Sequence, residues 1–164
     1  MTNPAISRDD LVAGLHARGV CYLAPTPVGD ELPVSDDVLI AGLAASPDAR
    51  LRFSLAALFL RHPGLAEAVE RVHVAGLPAA ALRELEKHYA AAVYLQRLWR
   101  TRLRLAFGET PLLPERYLEA QGLPAPDFMH GEFGLRRLTE RGLFNDWSSY
   151  EQAVDLLIDQ PCGP

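Results

Sequence analysis

Residues 78–107 read PAAALRELEKHYAAAVYLQRLWRTRLRLAF, bounded by Pro78 at one end and Gly108 at the other. Proline suits the first helical position, where its missing N–H is not needed, and glycine suits the stop. Between them Leu82, Leu85, Tyr89, Ala92, Val93, Gln96, Trp99, Leu103 and Phe107 fall within about 120° of arc at 100° per residue. Tyr94, Leu98 and Leu105 form a second apolar strip on another side. The spacing predicts one continuous helix over 78–107, roughly 45 Å long at 1.5 Å per residue. A helix apolar on two faces serves as the central post of a bundle.

The flanking sequence reads as shorter helices wrapped around that post. Ser7-Arg8-Asp9-Asp10 and Ser35-Asp36-Asp37 each place a capping hydroxyl ahead of acids at the positive end of a helix dipole. Ser46-Pro47-Asp48 opens a third helix, expected from Pro47 to Arg61 with proline at N1. Its residues Leu51, Phe53, Leu55, Leu58, Phe59 and Leu60 are apolar on most sides, which predicts burial. A further helix is expected from Leu65 to Val74, stopped by Gly76. Beyond the post, short helices are expected over Pro114–Gln121 and Glu132–Arg141. A last one, capped by Asn145-Asp146 or Ser148, carries Ala153, Val154, Leu157 and Ile158. Gly19–Leu23 is short and apolar and could be extended. Proline-rich loops lie near 24–34 and 109–130. The whole is expected to be all-α: a single helical domain over 1–164, an irregular multi-helix bundle around one long helix.

Composition sets further bounds. The chain of 164 residues is 49% apolar and 23% charged, with a net charge of −5, the ordinary globular range. Residues 1–48 hold seven acids against two arginines, and residues 49–164 hold fourteen of each sign, so the excess negative charge comes from the first third. Such a balance does not draw the whole molecule to nucleic acid or anionic lipid. No 18-residue apolar window is present, so no membrane span is expected. The N-terminus lacks a cationic region followed by an apolar run, and no signal peptide is expected. Cys21 and Cys162, at opposite ends, form neither a metal motif nor the disulfide framework of a secreted protein. A reducing cytoplasm is the default reading.

Two groups of residues invite functional readings. Arg97, Arg100 and Arg104 lie within about 60° of one another on the post, with Tyr94 and Trp99 interleaved. Forked guanidinium groups in a stripe could hold phosphates, a protein partner or intramolecular acids. Nucleic acid would be reached only through this Arg97–Arg104 stripe. Arg83 and His88 form the second group, an arginine and a histidine separated by four residues. This spacing resembles the HEPN family of helical ribonucleases, although position 84 is Glu where that family carries Asn or another polar residue. The resemblance implies Arg83 as phosphate stabiliser and His88 as acid/base group, in a site built across a dimer.

Other chemistry leaves no trace. The remaining histidines, His16, His62, His73 and His130, make no H-x3-H or H-E-x-x-H pair, so no metal or cofactor is expected. His130-Gly131-Glu132 lacks the P-C-x-x-C that a zinc deaminase needs. Ser148-Ser149 has no G-x-S-x-G context, and Gly131 and Gly134 are too isolated to cradle phosphate. With no catalytic motif, the expected function is that of a non-catalytic interaction protein, acting as a homo-oligomer or as the partner of another polypeptide. Tyr94, Arg97, Trp99, Arg100 and Arg104 would be its contact surface. The HEPN-like ribonuclease, a toxin-type enzyme, is the alternative.

Overall fold

The computed structural model describes residues 5–24, 33–127, 131–140, 147–160 and 162. Among them are eight α-helices and no strand, the all-α bundle that the apolar spacing predicts. None of these helices is long and apolar enough to cross a membrane.

The predicted caps do their work. Ser7 opens α1 (Arg8–His16) with a reciprocal capping box: its hydroxyl accepts from the Asp10 N–H, and the Asp10 carboxylate accepts from the Ser7 N–H, both at 3.1 Å. Each bond satisfies a backbone donor that the helix itself leaves orphaned. Ser35 caps α2 (Asp36–Ala45) by accepting from Val38 N–H. Asp48, not Ser46, caps α3 (Ala49–Arg61), accepting from Arg50 N–H at 2.9 Å, so Pro47 stands before the cap instead of at N1. A 3-10 turn over Pro63–Leu65 leads into α4 (Ala66–Ala75), which ends at Gly76 with φ 91°.

The post itself is divided. Helix α5 (Ala79–Leu98) and helix α6 (Arg100–Phe107) are separated by Trp99, at φ −107° and ψ 23°. The ladder partly bridges the gap: Trp99 N–H still donates to Leu95 O, and Leu103 N–H to Trp99 O, both at 2.9 Å. The expected unbroken rod is therefore a 20-residue helix followed by a short eight-residue one. Two more helices complete the chain, α7 (Glu132–Glu140) and α8 (Trp147–Asp159).

Helices α3 and α5 form the centre and share the most extensive helix–helix interface. Residues 54–60 of α3 and 88–96 of α5 are buried without interruption. Helices apolar on every side can be satisfied only in this position. The Phe59 and Tyr89 rings meet edge to face at 5.5 Å. Helix α2 packs against α3, α4 and α5, while α7 covers α5 and α8 covers α3. Each fully buried Leu or Phe in this layer contributes roughly 1.5–3 kcal/mol.

Three further expectations change. Residues 114–121 form no helix: the chain turns over 117–122, and Tyr117 sits at φ 67°, a left-handed conformation no helix can contain. Residues 19–23 are irregular and form no strand. Cys21 and Cys162 are bonded to each other as a disulfide, with Cα atoms 5.1 Å apart across 141 residues of chain. This ties the segment after α1 to the segment after α8 and replaces the reading of two unrelated thiols. The expected cap at Asn145-Asp146, and His130, lie outside the described residues.

Candidate functional site

The five residues expected to share one surface are separated by the fold. Tyr94 is fully buried, and its hydroxyl donates to Pro124 O at 2.8 Å. Glycines of the α7 segment make room for it. Gly131, at φ 88°, sits against the Tyr94 carbonyl, and a Cβ on Gly134 would occupy the Tyr94 ring. Tyr94 is thus an internal residue and forms no contact surface.

Arg97 also turns inward. Both its terminal nitrogens donate to Leu113 O at 3.2 Å, and one also donates to Gln96 Oε1 at 3.2 Å. Burial pushes its pKa below the usual arginine value. Gln96 completes the arrangement: its Oε1 accepts from Leu113 N–H at 2.7 Å and its Nε2 donates to Pro111 O at 2.9 Å. One amide side chain therefore satisfies two backbone groups of the 108–114 loop and fixes that loop on the end of α5. Periodicity places Gln96 in an apolar arc, and nothing in the spacing distinguishes this polar role.

Past the break the helix is thinly packed. Leu103 is the one buried residue of α6. Arg100 and Arg104 are exposed; Arg100 makes no ion pair among the described residues, and Arg104 reaches Glu109 at 3.4 Å. Leu105 is 80% exposed and Leu112, on the adjoining loop, 43%. Arg102, outside the predicted stripe, is the anchor: it pairs with Asp155 at 2.5 Å and Asp159 at 3.8 Å, with Trp99 beside it. Phe107 lies under the Arg61 guanidinium at 4.5 Å.

Arg83 and His88 do not converge. Arg83 is exposed, whereas His88 is 4% exposed and packs edge to face on Phe53. The His88 Nε2 lies 3.3 Å from Glu84 Oε2. Glu84 is the hub of a network that also takes Lys87 at 2.8 Å and Arg52 at 3.2 Å, tying α5 to α3. These partners hold the Glu84 carboxyl down to about 2, the His88 hydrogen bond contributing most. Burial holds His88 below the usual histidine value, so it stays neutral and donates Nε2–H to the carboxylate.

Two further clusters gave no signal in the sequence. His73 Nε2 meets Glu86 Oε1 at 3.0 Å, and Glu86 Oε2 accepts from Gln121 at 2.8 Å. The strained Tyr117 stacks on the His73 ring at 5.0 Å. The second is a cleft of about 390 Å³ between α3 and α8, with Leu23, Phe53 and Leu156 as apolar lining and Arg50, Gln152 and Gln160 as polar lining. No group of three or more His, Cys, Asp or Glu among the described residues is placed to hold a metal ion. No known protein family, curated protein or solved structure matches this chain.

Proposed function

We propose that the protein is a non-catalytic helical interaction protein, and that α6 with the adjoining 108–113 loop is the surface it offers to its partner or to a second copy. One observation carries the reading: Leu105 stands 80% exposed on a helix that buries a single residue. An eight-residue helix is too short to be stable by itself in water. Here it is held by Leu103, the Arg102–Asp155 pair and the Phe107–Arg61 stack, while Leu105 faces outward. Exposed Leu105 and Leu112, the latter lining one groove with Arg100 and Arg104, suit a partner surface that is apolar at its centre and acidic at its rim.

The test is assembly state with and without that surface. Light scattering coupled to size exclusion should give a mass at least twice the 18.0 kDa of the chain, or the protein should retain a host partner through affinity purification. Leu105→Glu should abolish that assembly while leaving the melting temperature unchanged. A strictly monomeric protein, whose captured proteins are the same for wild type and Leu105→Glu, would remove the proposal. No observation favours the ribonuclease reading, since Arg83 faces solvent and His88 is enclosed by Phe53 and Glu84.

A further inference from the structure

We propose that the cleft between α3 and α8 binds a small organic anion of the aliphatic carboxylate class. Its hydrocarbon body would lie on Phe53, Leu156 and Leu23, and its carboxylate would meet Arg50. The cleft, about 390 Å³, falls in the range that small-molecule sites occupy.

The charge of the lining points to the ligand. Arg50 is its one charged side chain among the described residues, and it makes no ion pair among them. Asp48, two residues earlier, is already engaged: it caps α3 and lies 3.6 Å from Arg8. Gln152, Leu156 and Gln160, four residues apart, make one uncharged stripe along α8, whereas Asp155 is turned to Arg102. A guanidinium that is the one charge among the described lining residues, set over an apolar floor, favours a ligand with one anionic end and disfavours a cation. Gln152 and Gln160 can donate to the remaining carboxylate oxygen.

The walls are also held in place. Cys21 precedes Tyr22 and Leu23 on one wall, and Cys162 lies two residues beyond Gln160 on the other. The bond between them joins the two walls beyond the cleft, where the cysteine Cα atoms lie 5.1 Å apart. A preformed cleft loses less entropy when it fills.

The experiment titrates sodium octanoate, octanol and octylammonium separately into the oxidised, full-length protein. Calorimetry gives affinity, and backbone amide shifts give location. Octanoate should bind more tightly than the other two, with shifts centred on Phe53, Gln152 and Leu156. Arg50→Gln should weaken octanoate about tenfold, the scale of one charge-assisted hydrogen bond, while leaving octanol unaffected. Leu156→Asn should weaken octanoate and octanol alike. Equal affinity for the three probes, shifts located elsewhere, or octanoate binding undiminished in Arg50→Gln would each overturn the proposal.

Discussion

Replacing Cys162 with serine should cost this protein several kcal/mol, because the bond it makes closes almost the whole chain into a ring. The two cysteines are separated by 141 residues. In the chain-entropy description a cross-link removes freedom from the unfolded state in proportion to the logarithm of loop length, which for such a loop amounts to about 5 kcal/mol at 25 °C. Losses on removing native disulfides run at about 2–5 kcal/mol. For a domain of this size each kcal/mol moves the midpoint by about 2–4 °C. Cys162→Ser should therefore melt about 4–20 °C below the oxidised wild type. Total domain stabilities are only about 5–15 kcal/mol, so the variant should be marginal at body temperature.

The assay is urea unfolding of the oxidised wild type, the reduced wild type, Cys162→Ser and the double variant Cys21→Ser/Cys162→Ser. The last three should coincide, because any one of these changes frees the ends. Their slope against urea should also be steeper, since an unlinked denatured chain exposes more surface. Weakening the folded state alone would lower the midpoint and leave that slope as it was. Two titratable thiols in denatured, unreduced protein would refute the reasoning at its premise. Oxidised and reduced proteins whose unfolding free energies differ by less than about 1 kcal/mol would refute it at its conclusion.

Acid should destabilise the fold in two stages. Burial holds His88 below its ordinary 6.5, so below that pH the unfolded chain takes up a proton that the folded chain resists, and stability falls by at most about 1.4 kcal/mol per pH unit. Glu84, held at about 2 against an ordinary 4.5, adds a second loss as pH drops from 4.5 towards 2; in melting curves taken across pH, His88→Gln should remove the first stage and keep an acid-side loss from the carboxylate. Gly134→Ala should cost about 1–3 kcal/mol by forcing a methyl into the Tyr94 ring, read as a lower melting temperature; an unchanged value would mean that α7 does not pack as described. Gln96→Leu should cost about 1–3 kcal/mol by leaving the buried Leu113 N–H without its acceptor, and limited proteolysis should then cut within 108–114. Arg83→Ala should change stability by no more than about 0.5 kcal/mol, because Arg83 is exposed and makes no ion pair among the described residues.

The helices were legible because their signals are local. Ser7 and Ser35 cap where a hydroxyl followed by acids says they should, and Gly76 and Gly108 stop helices at positive φ. Apolar residues on most sides of α3 and on two faces of α5 told which two helices lie innermost. What stayed hidden was non-local. No spacing rule connects Cys21 with Cys162 across the length of the chain. The left-handed Tyr117 rests on tertiary support, its ring held between His73 and Tyr89; no glycine or asparagine lies within four residues of it, and Gly122, at φ 64°, only closes the turn. The change at Trp99 is likewise silent, with neither proline nor glycine beside it.

The arginines show where a helical wheel stops being informative. Of four in eight residues, Arg97, Arg100 and Arg104 look like one charged strip when each residue is placed at 100° from the last, with Arg102 apart from it. Their fates depend instead on what folds back over the helix. The 108–114 loop returns across the end of α5, offers the Leu113 carbonyl, and so takes Arg97 inside. Helix α8 brings Asp155 and Asp159 to Arg102. Arg100 and Arg104 alone face outward, and Arg104 already has Glu109 nearby. Two outward cations on a chain of net charge −5 are few for a phosphate backbone, whose binding grows with each charge neutralised. In the interface proposed around Leu105 they would serve at the rim, where charges set register and encounter rate while the buried centre supplies the affinity.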